Sequence, residues 1–349
     1  MSNNIEIPFD VLYAFGYNGN VAITQNGDGL INATFFIETA SSKIVLQKIN
    51  TRVFTNAVAI QSNYVKVYNY IQQNTQNFLL PKPVFTGNSE SFFIDSTSGF
   101  WRGFYYVPDS AVKHFISNAA EAYTVAALFG RLLKVLDGFP AQQLKETIPQ
   151  FHDLHLRYQQ FENAVKNGDQ QRKLDTTSLI ESLKKRQNYV ELYDTIVDQK
   201  DKFPVRVLHH DAKIGNILFD KQTGEVLCAV DFDTLMPGYF FSDFGDLVRA
   251  SACSASEEEN DLSKVFIIRE YYEALLKGYL DATENILTEE ERSLLIYSGH
   301  ILIYMQCLRF TTDYLSGDIY YKTSYINHNF CRAINQMTLL ESLEKLVPN

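Results

Sequence analysis

The sequence predicts an α+β fold in two parts: a small β-rich part over residues 1–108 and a larger, mainly helical part over residues 109–349. Three observations point there. Before Pro108, short apolar runs are separated by turn residues, with one longer stretch of helical spacing. After Pro108 the apolar spacing is mostly helical. The exception is residues 205–231, where three short apolar strands are joined by polar turns.

Val21–Thr24 and Leu30–Ile37 read as strands joined by Asn26-Gly27-Asp28-Gly29, which contains both tight-turn pairs, Asn-Gly and Asp-Gly. Ile44–Ile49 reads as a third strand, Phe54–Gln73 as a helix, and Ser91–Ile94 and Trp101–Val107 as two more strands. Pro108-Asp109-Ser110 reads as a hinge. Helices are then expected over Asn118–Leu136, stopped by Gly138 and Pro140, and over Leu154–Lys166, Thr177–Val197, Leu262–Leu280 and Thr288–Tyr314. The last opens with a capping box, Thr288 and Glu291. The acidic run Glu257-Glu258-Glu259 reads as a solvated helix start.

The chain has 349 residues and a formal net charge of −10, which makes it a poor candidate for nucleic-acid binding. No apolar run approaches the ~20 residues needed to span a membrane, and the N-terminus carries no signal-peptide pattern. Cys228, Cys253, Cys307 and Cys331 are widely spaced and read as buried thiols of a reducing compartment. A cytoplasmic chain with no obligatory protein partner is expected.

The chemistry concentrates in His209–Asp220, HHDAKIGNILFD, followed by Asp231. Asp211 stands five residues ahead of Asn216, and a second carboxylate, Asp231, follows the apolar run Val226–Val230. Phosphoryl transfer from a Mg-nucleotide needs such a set: one carboxylate to orient the attacking hydroxyl and take its proton, and an amide oxygen and a second carboxylate to hold magnesium. The spacing and its flanking strands look like the catalytic and metal loops of kinase-like folds, so a bilobal protein-kinase-like arrangement is expected. An ordinary polar-tipped hairpin is the plain alternative. A metal-hydrolase reading of His209-His210-Asp211 is weaker, because adjacent side chains of an extended chain point to opposite faces. His209 is expected to pack beneath the loop, and His210 to be a loop residue.

With these motifs the chain resembles the aminoglycoside-phosphotransferase and choline-kinase superfamily, through His209-x-Asp211-x4-Asn216, Asp231, and Gly238 followed by Asp243-Phe244. Within it the chain looks most like the bacterial N-acetylhexosamine 1-kinases. That closer resemblance adds Gly29–Phe35, Leu46–Asn50, Phe151-His152-Asp153 with Arg157-Tyr158 and Phe161, Asp231–Gly238, and Arg309-Phe310 with Asp313-Tyr314, Gly317-Asp318 and Tyr320. It implies an ATP- and magnesium-dependent kinase of a small-molecule sugar, phosphorylating the anomeric hydroxyl. Asp211 would be the base, Asn216 and Asp231 the magnesium ligands, and Asn32, Arg309 and Tyr320 the residues near the sugar. Asp243 would brace the catalytic loop. The phosphates would meet the backbone of Gly27, Asp28 and Gly29, and Lys48.

Plainer readings stand beside these. The Gly-Asp-Gly turn needs no ligand to explain it. Asn32 can serve turn backbone alone, and Arg309 can be a structural ion pair with Asp313. Two departures from the family pattern matter. Leu30 stands where the sugar kinases tend to carry histidine, and the helix Phe54–Gln73 has neither Glu nor Asp to pair with a strand lysine. Gln47 rather than Lys48 can be the inward-facing residue, since neighbours on a strand alternate. The alternatives are therefore a kinase of another small alcohol, such as an aminoglycoside, choline or a different sugar, or a nucleotide-binding regulatory module.

Overall fold

A computed structural model describes residues 6–19, 21–26, 31–75 and 77–348. The fold is α+β: an antiparallel sheet dominates the N-terminal part, and helices dominate the rest. The chain forms two compact units. The first contains residues 1–111, 138–149 and 218–236, and the second contains 112–137, 150–217 and 237–349. The first unit is thus not one continuous stretch: the chain returns to it twice after Pro108-Asp109-Ser110.

The first unit is built on a six-stranded antiparallel sheet in which Ala33–Glu38, Lys43–Ile49 and Phe100–Tyr105 lie side by side. Their register aligns Ala33, Lys48 and Trp101 in one row and Thr34, Gln47 and Arg102 in the next. Successive rows face opposite sides. One face buries Phe35, Ile37, Ile44, Leu46 and Trp101 against Val11 and Phe15 of the N-terminal helical turn. The other face carries Thr34, Gln47, Arg102 and Phe104, whose ring meets Tyr64 of the helix Ala57–Asn74 at 5.1 Å. Tyr64 also packs on Phe232, at 5.4 Å. The strands Ile217–Asp220 and Val226–Ala229 form a smaller sheet with Ser110–Ala111, and they lead into Asp231.

The second unit is helical apart from the short strands Arg206–Leu208 and Met236–Gly238, of which Met236 belongs to the first unit. Asn118 caps the helix Ala119–Val135 by accepting from the N–H of Glu121. The expected helix Thr177–Val197 breaks into Thr177–Lys184 and Asn188–Asp198, and Arg186 at the break forks onto Glu344 with two 2.8 Å bonds. The helix expected from Leu262 begins only at Arg269, and the one from Thr288 is interrupted by a 3-10 turn at Leu295–Tyr297. Among the described residues, two long helices escape the sequence reading, as do the short ones Phe9–Ala14 and Gln170–Asp175. Phe241–Ser251 is buried almost all round, including its polar residues Ser242, Asp243 and Asp246, although its sequence spacing is amphipathic. His328–Leu346 has its apolar stripe diluted by the buried Asn329, which donates to Asp313, Asn335, which donates to the Ser256 carbonyl, and Gln336, which donates to Asn335. The acidic run does not start a helix: Glu257 reaches Arg249, and Glu258 meets both His328 and Arg332.

The capping box at Thr288 is present, and Glu291 serves two purposes. Its buried carboxylate also accepts both arms of Arg206, at 2.8 and 2.7 Å, which ties the helix Glu289–Leu294 to the strand Arg206–Leu208. Glu291→Gln is expected to lower stability by about 1.5–3 kcal/mol, the range for hydrogen bonds to charged groups. Urea unfolding checks this, and a midpoint unchanged from the parent protein would count against the pair.

Candidate active site

The strand Arg206–Leu208 delivers the loop that begins at His209. Two backbone N–H groups, of His209 and His210, donate to the two carboxylate oxygens of Asp243, at 3.1 and 2.7 Å. Burial raises the Asp243 carboxyl from its ordinary value, and the two N–H donors and His209 oppose that shift. The loop is pinned further by His210, which is buried with φ at +62°. A Cβ at Gly238 would overlap the His210 ring, so the close approach there requires glycine. His210 is therefore a packed element of the loop, more than the simple loop residue expected. His209 lies fully buried, edge-on to Phe129 at 5.4 Å, and its Nδ1 accepts from the N–H of Asp211.

These constraints present Asp211. Its Oδ2 accepts from Asn216 Nδ2 at 2.8 Å, and the same amide also donates to the Asp211 backbone carbonyl at 2.9 Å. Lys213 Nζ stands 2.9 and 2.8 Å from the two carboxylate oxygens. Lys213 was missed in the sequence, although Asp211-x-Lys213 is legible there. The Asp211 side chain remains 27% exposed, enough to meet a substrate.

Asp211 opens onto a pocket of about 50 Å³ within the second unit, shared with His152, Asp246, Arg249, Gln306 and Arg309. The Arg309 guanidinium lies over the rings of Phe151, Tyr321 and Tyr320 at 5.6, 5.5 and 5.8 Å, and Nη1 donates to Gln306. The structural pairing of Arg309 with Asp313 does not form. Asp313 instead accepts the backbone N–H groups of Ile319, Tyr320 and Tyr321 and the amide of Asn329, closing the turn that ends the helix Ser298–Leu315. Tyr320 is 70% exposed beside Arg309. Arg249 is engaged by Asp246 and Glu257. Burial lifts the Asp246 carboxyl to about 6, with Arg249 opposing and Asp211 adding to the rise. Burial, with His210 and Arg309 nearby, holds His152 well below its ordinary value, so it is neutral at neutral pH.

The remaining expected site residues belong to the first unit. Asp231 follows the strand Val226–Ala229 with φ +62° and ψ +60°, and it is exposed. Asp233, two residues on, is buried and ion-paired to Arg102 at 2.5 Å. Asn32 donates to Asp233 Oδ2 at 2.6 Å and accepts the N–H of Asn50 at 2.9 Å, so both ends of its amide are engaged inside this unit. Lys48 shares a sheet face with Trp101, its partner across the strands. It faces the side of Trp101, with Nζ 5.4 Å from that ring and 3.9 Å from Asp95, whereas the Asp233 loop meets the opposite face through Gln47 and Arg102. Gly27, Asp28, Gly29 and Leu30 lie outside the described residues.

A magnesium ion takes only one or two carboxylates from protein and fills its remaining positions with phosphate oxygens and water. Asn216 and Asp231 fit that demand in kind. In the second unit the Asn216 Nδ2 is engaged by Asp211, which leaves Oδ1 as an acceptor, and in the first unit Asp231 supplies an exposed carboxylate.

A profile of the phosphotransferase enzyme family matches residues 22–291. The chain belongs to this family. It is an enzyme, a phosphotransferase. Solved structures with the same fold include an aminoglycoside phosphotransferase from Alicyclobacillus acidocaldarius, with TM-score 0.66 and 12% identity over 99% of this chain and 96% of that one. A microcompartment-associated aminopropanol kinase has TM-score 0.66 and 16% identity over 96% and 95%. A spectinomycin phosphotransferase solved with ADP and spectinomycin has TM-score 0.56 and 10% identity over 91% and 93%. The phosphotransferase thus carries the kinase-like fold expected of it. Among its described residues no helix is long and apolar enough to cross a membrane.

Proposed function

We propose that this phosphotransferase moves the γ-phosphoryl group of ATP to the anomeric hydroxyl of an N-acetylhexosamine, releasing the sugar 1-phosphate and ADP. The observation that carries the reading is one pocket lined by both Asp211 and Arg309. Asp211 orients the hydroxyl and accepts its proton as the oxygen attacks phosphorus. Lys213 keeps a cation beside the base. Arg309 and Gln306 offer donors to a neutral polyhydroxy ring, and Tyr320 offers an apolar face. Asn32 contributes through its bond to Asp233. Asn216 and Asp231 are the residues that would hold magnesium, and the backbone of Gly27, Asp28 and Gly29 those that would cover the phosphates. Bound magnesium neutralises charge on the phosphate oxygens. The four cysteines, all free thiols, support a cytoplasmic setting.

A second reading has one observation in its favour. Asp246 also lines the pocket, and carboxylates there suit a cationic amino alcohol of the kind named for the aminopropanol kinase. Arg309 opposes it, because two like charges ~4 Å apart repel by about 4 kcal/mol at an effective dielectric near 20. An acceptor panel with Mg-ATP, read by ADP release, separates the two. N-acetylglucosamine or N-acetylgalactosamine should exceed aminopropanol, ethanolamine, choline and aminoglycosides in kcat/KM by about 100-fold or more. A cationic acceptor at the head of the panel would transfer the assignment to the second reading.

A further inference from the structure

The geometry points to Arg102 as a positioning residue for the loop that carries Asp231. This rests on the reading of Asp231 as a magnesium ligand. Kinase-like sites commonly pair a strand lysine with a helix carboxylate beside the nucleotide phosphates. Here the helix Ala57–Asn74 has no carboxylate, and Lys48 faces the other side of the sheet. The face that meets the Asp233 loop carries Thr34, Gln47 and Arg102 in register on three adjacent strands.

Arg102 is 2% exposed, and its contacts leave it one orientation. Its Nε and Nη2 both donate to Gln47 Oε1, at 3.0 and 2.9 Å. Gln47 is itself turned by donating Nε2 to Thr34 Oγ1 at 3.2 Å. Nη2 also donates to Asp233 Oδ1 at 2.5 Å, while Asn32 holds the other oxygen of Asp233 at 2.6 Å. Asp233 is therefore gripped by the strand Phe100–Tyr105 and by the bend that precedes the strand Ala33–Glu38, two residues beyond Asp231. Asp231 sits at φ +62°, a left-handed backbone that a non-glycine residue keeps only where its surroundings over-determine it. The Arg102–Asp233 pair is such a surrounding. A planar guanidinium can bind Gln47 and Asp233 together in fixed directions, which an ammonium on a flexible stem cannot.

Arg102→Lys keeps the charge and removes the fork. The test titrates magnesium while measuring ADP binding by calorimetry, with metal-free ADP binding and thermal melting as controls. Arg102→Lys is expected to raise the magnesium concentration for half-maximal support of ADP binding by about 10-fold or more, the scale for residues that orient a metal ligand. Metal-free ADP binding should stay within about 2-fold, because Arg102 acts through the loop that carries Asp231. An unshifted magnesium titration overturns the assignment, and so does an equal loss of both kinds of binding. If Arg102→Lys does not fold, Gln47→Met is read by the same criteria, since it removes the acceptor that orients the guanidinium and leaves the ion pair. Parent protein whose ADP binding ignores magnesium defeats the magnesium reading itself, and this assignment with it.

Discussion

Asp211→Asn is expected to lower turnover by about 100-fold or more, the usual scale for losing a general base. The fold should survive. The Asp211 carboxylate is partly exposed, and its ion pair with Lys213 lies at a solvent-accessible position, where such pairs contribute about 0–1 kcal/mol. The loop itself is held from beneath by Asp243 and His209, which the substitution leaves in place. Nucleotide binding and melting temperature should therefore stay near the parent values while the rate falls. Near-normal turnover in a folded variant would remove Asp211 from the base role.

The second large effect separates two carboxylates that the sequence places side by side. Asp231→Asn should shift the magnesium dependence of activity to higher concentration or flatten it, with a loss of about 100-fold or more at low magnesium, since hard cations prefer carboxylate oxygens. It should leave stability nearly unchanged, because Asp231 is exposed. Asp233→Asn should show the opposite balance. Its carboxylate meets a buried guanidinium, so melting temperature falls markedly, with a smaller shift in magnesium dependence. A larger magnesium shift in Asp233→Asn than in Asp231→Asn, with stability retained, would show that the two roles are reversed.

How much of this was legible in the sequence varies with the range of the interaction. The catalytic loop was legible because Asp211 and Asn216 lie within one short segment bounded by apolar strands. The strands 22–26, 33–38 and 43–49 were legible from their turn residues and apolar content. Lys48 against Gln47 was not, because one position on a strand exchanges the faces. Only the pairing of Gln47 with Thr34 and Arg102 decides it. Arg102 gave no signal, standing in an aromatic strand with its partner at Asp233, far along the chain. Asp246 and Arg249 were missed although their helix has amphipathic spacing, because its polar side is buried by the fold. The acidic run misled because Glu257 and Glu258 are held across the fold by contacts with Arg249, Arg332 and His328.

The most direct test of the account is the identity of the product. The protein is incubated with Mg-ATP and each N-acetylhexosamine, and the new phosphate ester is assigned by phosphorus NMR. The account predicts a phosphate on the anomeric oxygen, coupled to the anomeric proton. A phosphate on the 6-hydroxyl, or turnover only with aminoglycosides, choline or other amino alcohols, would contradict it.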